Sequence, residues 1–287
     1  MLPFRPGAHI DVQTQKGIVR QYSLTNGPED RKHYTIGVKK EPRSRGGSLA
    51  MHALRPGELL EVGEPRDNFK LQLDAPHSVL LAAGIGLTPL LSMARHLSAA
   101  GRSLALHIFA RAPEYVPFRT VLNAPPLAGH VSYRYETDPR RVREQLAALV
   151  GHRPPGAHLY ICGPSPFMEA VMAAAATWPA HTKHLEHFGA TPDLGATPND
   201  SFEIMLARSN QIILVSHDQT IVQALAEAGI VVEVSCEQGI CGTCMTPVLE
   251  GVPDHRDCFL TEAERVARSC MALCVSRARS PRLVLDL

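Results

Sequence analysis

CEQGICGTC, residues 236–244, places three cysteines within nine residues of a chain that contains seven. Cys236, Cys241 and Cys244 follow the spacing C-x4-C-x2-C, which is typical of plant-type [2Fe–2S] ferredoxins. A two-iron cluster needs four thiolates around a compact core, and a tight loop can supply three of them. Gly239 and Gly242 let the loop bend and bring amide N–H groups towards the sulfurs. The stretch therefore predicts a [2Fe–2S] cluster.

The fourth cluster ligand is not determined by spacing, because Cys258, Cys270 and Cys274 all compete for it. A zinc site is the alternative interpretation, but zinc sites usually contain paired C-x2-C elements and this chain has one. A disulfide framework is not expected. The opening MLPFRPGAHI lacks the basic and apolar regions of a secretory leader, and a disulfide-rich fold belongs to small secreted domains.

Composition excludes several classes of protein. A length of 287 residues predicts two or three domains. The 29 basic and 28 acidic residues leave a formal charge of +1, which argues against a nucleic-acid or anionic-membrane surface. The longest apolar stretch, VLLAAGIGLTPLLSM at 79–93, is too short for a membrane span. We expect a soluble, cytoplasmic protein.

The pattern of predicted strands and helices changes along the chain and divides it into segments. Residues 1–74 contain short strand candidates separated by turn signals, which predicts an antiparallel β-barrel or sandwich; the candidates are 9–14, 18–24, 33–39 and 59–63. Residues 75–189 alternate buried strands with helices, which predicts a doubly wound parallel sheet. One of these helices is expected to start with Asp138 as N-cap and Pro139 in its first turn.

The last third of the chain predicts a small α+β domain. Residues 190–200 are rich in Pro, Gly, Thr and Asp and are interpreted as a linker. Residues 201–287 contain two strand candidates, a helix, the cysteine loop and two closing strands, SCMALCVS and RLVLDL. TEAE, 261–264, is a capping box that predicts a short helix.

GIGLTP, 84–89, follows a buried strand directly and opens a helix. Gly84 and Gly86 allow a tight turn and the close approach of a pyrophosphate to the helix N-terminus. A glycine pattern alone also fits ordinary turn chemistry. The strand–loop–helix setting favours dinucleotide binding.

Five motifs in a fixed order resemble those of the phthalate dioxygenase reductase family. They are RQYSL (20–24), GGS (46–48), GIGLTP (84–89), CGP (162–164) and the cysteine loop, followed by the family-like endings DHRD (254–257) and CVSRARSPRLVLDL (274–287). The resemblance covers essentially the whole chain. It implies a flavin-binding barrel, a pyridine-nucleotide domain and a C-terminal plant-type ferredoxin domain with a β-grasp-like fold.

The resemblance also implies roles for the matching residues in the flavin site. Arg20 would lie near the FMN phosphate, Tyr22 against the flavin, and Ser23 within hydrogen-bonding distance of N5. Lys39 falls beside the same site, and Phe188 matches an aromatic residue near the flavin. The turn that cradles the phosphate matches Gly46, Gly47 and Ser48.

The nucleotide site is implied in the same way. Gly84, Gly86 and Thr88 match the nucleotide loop, with Thr88 reaching the flavin edge. The segment near the nicotinamide matches Cys162, Gly163, Pro164 and Met168. Ser23, Thr88 and Cys162 are the residues implied at the point of hydride transfer. The resemblance further selects Cys274 as the fourth cluster ligand.

One departure from the family concerns the barrel. Family members have a further stretch before the segment equivalent to FRPGAHIDV, and that stretch supplies the first barrel strands. We therefore expect a barrel that is open along one edge and that retains FMN less tightly than a longer relative.

The function implied is that of an NADH-dependent reductase component. Electrons would pass from NADH to FMN, then to the [2Fe–2S] cluster, and finally to a terminal Rieske-type oxygenase or demethylase that acts on an aromatic compound. The preference for NADH over NADPH and for FMN over FAD rests on the resemblance alone. Arg111 is suited either to pairing with a 2′-phosphate, which would favour NADPH, or to the solvent-facing end of a strand. The competing hypothesis is a non-catalytic electron carrier that has lost its flavin.

Overall fold

A computed structural model of the chain describes residues 1–14, 18–41, 44, 46–188, 200–237 and 239–287. These residues form two compact units, Met1–His187 and Phe188–Leu287. The first unit contains two separate sheets. The domain boundaries expected near residues 74 and 189 stay predictions, and residues 190–199 of the expected linker lie outside the described residues.

The first unit begins with a three-stranded antiparallel sheet. Its elements are β1 His9–Gln13, β2 Val19–Ser23, the short helix α1 Gly47–Ala53 and β3 Glu61–Val62. The strand order is β2-β1-β3. Ile10 and Val12 alternate towards the core on β1, where they pack with Phe4 and Leu24. The predicted antiparallel sheet is confirmed.

The strand expected over 33–39 does not form in the described residues, which show a single bridge there, between Leu24 and Ile36. The reason lies in Asn26, which is buried. Its side-chain amide donates to the His33 carbonyl (3.1 Å) and its Oδ1 accepts from Thr35 N–H (2.9 Å). Because a side chain satisfies these backbone groups, they are not available to a β-ladder.

The second sheet of this unit is parallel and five-stranded, as predicted. Its elements are β4 Ser78–Ala83, α2 Leu87–Ala99, β5 Leu104–Ala110, α3 Arg119–Leu122, β6 Val131–Tyr135, α4 Pro139–Val150, β7 His158–Cys162, α5 Ser165–Ala174 and β8 Lys183–Glu186. The strand order is β6-β5-β4-β7-β8. Every residue of the central strand β4 is buried. Asp138 caps α4 by accepting from Arg140 N–H at 2.9 Å, as expected.

Several contacts join the two sheets of the first unit. Ser92 on α2 donates to the Asn26 carbonyl at 2.8 Å, and the Gln72 N–H donates to the Tyr160 hydroxyl on β7 at 2.8 Å. Phe69, from the segment between the sheets, packs edge-on against Tyr160. The segment between the sheets therefore packs into the core of the parallel sheet, whereas Ile10 and Val12 of the first sheet belong to a separate cluster.

The second unit is a small α+β fold around a mixed sheet. Its elements are β9 Phe202–Leu206, β10 Gln211–Val215, α6 Ile221–Glu227, β11 Met245–Glu250, β12 Pro253–Asp254, α7 Glu262–Ala267, β13 Cys270–Ala272, β14 Arg277–Ala278 and β15 Arg282–Leu285. The strand order is β10-β9-β15-β11-β13, and β15 runs parallel to β9. Thr261 and Glu264 form the predicted capping box.

The closing strand expected over SCMALCVS is shorter than predicted. Strand β13 ends at Ala272, and Cys274 lies in the turn that follows. The Leu273 N–H donates to the Cys244 carbonyl at 3.2 Å. This bond continues the register of the β11–β13 pair by one residue, and it places Cys274 next to the end of the cysteine loop.

Within the described ranges, none of the helices has the length and apolar character that crossing a membrane requires.

A group of aromatic rings lies on the outer strands β7 and β8. His184 stacks on Tyr160, with ring centroids 4.6 Å apart, and its Nε2 lies 2.9 Å from His158 Nδ1. Burial, with smaller contributions from the neighbouring His158 and His181, lowers the pKa of His184 to about 4. His181 lies in the turn Ala180–Thr182 rather than on β8.

The pKa of His184 predicts acid sensitivity of the first unit. The folded value of about 4 lies below the ordinary 6.5, so between these values the unfolded chain binds more protons and stability falls as the pH is lowered. In His184→Gln, the dependence of the unfolding free energy on pH between 5 and 7 should become shallower. Urea unfolding followed by the fluorescence of Trp178, the single tryptophan of the chain, measures it. His152→Gln, at an exposed position, is the control; equal slopes in wild type and His184→Gln would contradict the prediction.

Candidate functional site

The four cysteines predicted as cluster ligands lie together in the second unit. The Cys236 thiol is within hydrogen-bonding reach of Cys241 and of Cys274, and Cys274 also reaches Cys244. Cys236, Cys244 and Cys274 are buried. Of the two competing cysteines, Cys270 pairs with Pro247 at the start of β13. The structure thus brings Cys274 to the three cysteines of the loop.

The proximity of these thiols alters their ionisation. Cys274 donates to Cys244, which lowers the pKa of the Cys244 thiol to about 7. The same bonds, to Cys236 and Cys244, raise the pKa of Cys274. Metal binding requires thiolates and displaces their protons, so the donor set suits an iron–sulfur cluster, which takes four cysteine thiolates.

The backbone of the loop also fits a cluster. Gly239 and Gly242 have φ values of +71° and +75°. Residues that carry a side chain rarely adopt such positive values. The Thr243 N–H lies 3.5 Å from Cys241 Sγ, and the Gly239 amide donates to Cys274. Such N–H···S contacts stabilise thiolate ligands. No three His, Cys, Asp or Glu side chains of the described ranges surround one point suited to a single ion; a [2Fe–2S] cluster divides its ligands between two irons.

The residues predicted for the flavin lie on β2 and on the turn that opens α1. A Cβ atom on Gly47 would lie 2.7 Å from Arg20 Cγ, so the Arg20 side chain lies against this turn. Tyr22 is half-buried, and burial raises its pKa. Ser23 is buried opposite His9 of β1.

The remaining predicted flavin residues surround Glu41 or lie apart. Lys39 Nζ is 2.9 Å from the Glu41 carboxylate, and the Glu41 N–H donates to Ser48 Oγ at 3.1 Å. Gly46 has a φ of +100° at the start of α1. Phe188 is exposed, and its predicted place near the flavin stays a prediction.

The two predicted nucleotide loops meet at the carboxyl edge of the parallel sheet. Gly84–Gly86 forms a turn between β4 and α2. A Cβ atom on Gly86 would lie 2.7 Å from Gly163 N and closer still to the Cys162 carbonyl. Around Gly84, which has a φ of +55°, no described atom lies within 4 Å of such a position. Ligands of doubly wound sheets bind at this edge.

Thr88, at the start of α2, connects this loop to the first sheet. Its hydroxyl donates to the Ile85 carbonyl at 2.9 Å. A Cβ atom on Gly37 would lie 2.8 Å from both the Thr88 methyl group and the Phe118 ring. Phe118 has a φ of +56°, an unusual value for a bulky residue. The sequence analysis did not predict that Gly37 and Phe118 lie beside Thr88. The only signal for this in the sequence was their residue types, a glycine and an aromatic residue.

The other predicted nucleotide residues are largely buried. Cys162 is 0 % exposed and Met168 is 2 % exposed, so both belong to the core on either side of the sheet. Pro164 is the N-cap of α5. Burial and the nearby Glu186 raise the pKa of the Cys162 thiol. Direct contact of these side chains with a nucleotide stays a prediction.

The sequence analysis missed two carboxyl groups beside Cys162. Glu186 ends β8 in register with Cys162, and its Oε2 is buried without a hydrogen-bond partner. Asp67 Oδ1 is buried in the same way. Burial, with a further contribution from Asp67, raises the pKa of Glu186 to about 8. The signal in the sequence was an acidic residue within a half-buried strand, two positions before Phe188.

Comparisons with known proteins match the chain along its whole length. The family described as "2Fe-2S iron-sulfur cluster binding domain" matches residues 204–279. The vanillate O-demethylase oxidoreductase of Pseudomonas sp. (strain HR199 / DSM 7063) is 44 % identical over 288 residues, covering 99 % of this chain and 90 % of that protein. The phthalate 4,5-dioxygenase oxygenase reductase subunit of Pseudomonas putida is 37 % identical over 290 residues, covering 100 % and 89 %.

A solved structure is also similar to the chain over its whole length. The structure described as phthalate dioxygenase reductase, a modular structure for electron transfer from pyridine nucleotides to [2Fe–2S], has a TM-score of 0.80 and 37 % identity. The match includes 100 % of this chain and 89 % of the chain in that structure.

The close contact at Gly86 gives a steric prediction. Gly86 has a φ of −59°, so alanine is acceptable to the backbone there, but its methyl group would force the Gly84–Gly86 turn away from Gly163. In Gly86→Ala we expect the KM for NADH to rise about tenfold, which corresponds to the usual cost of overpacking. Steady-state kinetics with NADH and ferricyanide measure it.

Gly129→Ala is the matched control, because no described atom lies within 4 Å of the added methyl group and its φ is not positive. An unchanged KM in Gly86→Ala would show that the two loops tolerate separation.

Proposed function

The chain belongs to the phthalate dioxygenase reductase family, and on this premise we propose how its residues carry electrons from NADH to a terminal oxygenase. It is an NADH-dependent oxidoreductase with FMN and a [2Fe–2S] cluster. The observation that carries the proposal is the convergence of four cysteine thiols from the 236–244 loop and from Cys274. Relatives named as reductase components of demethylase and dioxygenase systems support the same function.

The cluster is assigned to Cys236, Cys241, Cys244 and Cys274. Their thiols lie within reach of one another, and glycines of positive φ bring amide donors to the sulfurs. These residues fit the cluster. Its reduction potential would depend on those N–H···S contacts and on the burial of the site.

FMN is assigned to the face of β2 and the turn before α1. Arg20, which lies against Gly47, would bind the phosphate together with Gly46 and Ser48, since a guanidinium and backbone N–H groups both suit a phosphate. Tyr22 would lie against the ring system, Ser23 would hydrogen-bond near N5, and Lys39 would lie beside the site. When bound, the flavin accepts two electrons from a hydride and returns them one at a time.

NADH is assigned to the cleft at the carboxyl ends of β4 and β7. Gly84 and Gly86 leave room for the pyrophosphate at the start of α2, whose N-terminus favours an anion. Thr88, Gly163 and Pro164 would border the nicotinamide, with Cys162 and Met168 supporting the loops from below. Orientation of the nicotinamide against the flavin supplies the rate advantage.

The acceptor proposed is a terminal Rieske-type oxygenase or demethylase that acts on an aromatic compound. The names of the relatives, an O-demethylase oxidoreductase and a dioxygenase reductase subunit, support an oxygenase or demethylase as acceptor, and the Rieske type follows from the family resemblance. NADH is an intracellular reductant, so we place the reaction in the cytoplasm.

An anaerobic NADH titration tests the function. After reconstitution with FMN, iron and sulfide, NADH should bleach both the flavin and the iron–sulfur absorption bands, and the reduced cluster should give an EPR signal. A cluster that dithionite reduces but NADH does not, with FMN present, would contradict the reductase function and favour the electron carrier.

Three serine variants test the ligand assignment. Cys274→Ser should lose most of the iron and the visible bands of the cluster, because it removes one of four thiolates. Cys270→Ser and Cys258→Ser are the matched controls and should keep both. Iron analysis and absorption spectra measure the result; loss of the cluster in a control but not in Cys274→Ser would move the fourth ligand to that position.

A further inference from the structure

The turn 257–260 packs directly against the predicted cluster loop. The Cys258 N–H donates to the Gly239 carbonyl at 2.9 Å. A Cβ atom on Gly242 would lie 2.5 to 2.9 Å from the Phe259 ring, so this ring lies on the loop. The turn thus holds the segment between the cysteine ligands at two points.

Asp257 fixes the shape of this turn. It is 3 % exposed, and its Oδ2 accepts from the N–H groups of Phe259 (3.1 Å) and Leu260 (2.8 Å). A carboxylate that accepts two backbone N–H groups just after it closes a tight local turn. Without this carboxylate, both N–H groups would lose their acceptor at a buried site, which is costly.

Further groups hold Asp257 from its other sides. Arg265 of α7 donates to the main-chain carbonyls of Asp257 and Leu260 and lies 4.0 Å from the Asp257 carboxylate. Ser276 Oγ donates to Asp257 Oδ1 at 3.5 Å, and His255 Nδ1 lies 3.9 Å from the same atom. Asp257 is therefore tied both to α7 and to the chain that follows Cys274.

Gly239 lies between Asp257 and the neighbour of Cys274. A Cβ atom on Gly239 would lie 3.0 Å from Asp257 Cα and 2.6 Å from a methyl group of Val275. At Gly239, therefore, no room is left for a side chain between the loop, Asp257 and Val275. A displacement of Asp257 would be passed on to the distance between the loop cysteines and Cys274.

We propose that Asp257 is a positioning residue for the [2Fe–2S] cluster, which sets the place of the loop cysteines relative to Cys274. The inference rests on the proposed function, because it assumes the four cysteine ligands. Asp257 acts through Gly239, Cys258 and Ser276 rather than as a ligand. A buried acid that only stabilised the fold would affect the unfolding free energy alone. Asp257 also sets the distances between the loop cysteines and Cys274.

Asp254 provides a matched control within the same DHRD motif. It is 1 % exposed and pairs with Arg256 Nε (2.8 Å) and Arg279 Nε (3.0 Å). It lies on β12, which pairs with β14. Asp254 is thus as buried as Asp257, but the groups that pair with its carboxylate are arginine side chains, whereas Asp257 binds the turn that packs on the cysteine loop.

The experiment compares Asp257→Asn and Asp257→Ala with Asp254→Asn and Asp254→Ala in the full chain carrying its cofactors. One readout is the rate at which the oxidised cluster is lost to an iron chelator, followed by visible absorption. The other is the EPR spectrum after reduction by dithionite, which needs neither NADH nor flavin. Melting temperatures of all variants report general loss of stability.

Asp257→Ala should release its cluster at least about tenfold faster than wild type, the factor expected from losing one hydrogen bond to a charged acceptor, and its g-values should change. Asp257→Asn should be intermediate, because its amide oxygen still accepts from the turn. The Asp254 variants should melt earlier but keep the g-values and the release rate of wild type.

Equal release rates and EPR spectra in the Asp257 and Asp254 variants would overturn the inference. If the alanine variants do not fold, the two asparagine variants decide by the same measurements. Absence of an iron–sulfur spectrum from the reconstituted wild type would instead overturn the cluster assignment itself, so the two failures are distinguishable.

Discussion

Ionised thiols repel one another, so four of them in one place need both a cation between them and a rigid frame around them. Much of the second unit is arranged as that frame. Cys236, Cys241 and Cys244 come from one loop, whereas Cys274 arrives from the turn after β13. Glycines let the backbone segments approach more closely than any side chain would permit, and a buried aspartate holds the third segment against them.

In the first unit, too, backbone segments approach one another closely at a glycine. Its two nucleotide loops meet at Gly86 and the Cys162–Gly163 peptide, again at a separation that excludes a side chain. Arg20, proposed for the flavin phosphate, lies against the turn before α1, and Thr88 of the proposed nucleotide loop lies against Gly37. Hydrogen bonds from Ser92 to Asn26 and from Gln72 to Tyr160 cross between these regions, so the residues proposed for the flavin and for the nucleotide belong to one compact unit.

The sequence was sufficient to predict the parallel sheet, because buried strands alternating with capped helices leave few other folds. It also predicted the cysteine loop, because its ligands lie close together in the chain. The proposed fourth ligand could not be derived from spacing, since its approach to the loop depends on the pairing of β13 with β11, which places Leu273 opposite Cys244. The missing strand at 33–39 depends on the side chain of Asn26, and the buried Glu186 and Asp67 become visible only once distant segments are packed together.

The position of β15 has a consequence for biosynthesis. This strand, formed by residues 282–285, lies between β9 and β11 in the sheet, so the two earlier strands have no direct ladder to join them. While the ribosome is still adding these residues, the first unit has all its strands and can fold, as N-terminal domains generally do. The second unit must wait for its central strand and for Cys274. Cluster assembly is therefore expected to follow translation, on a chain whose first unit has already folded.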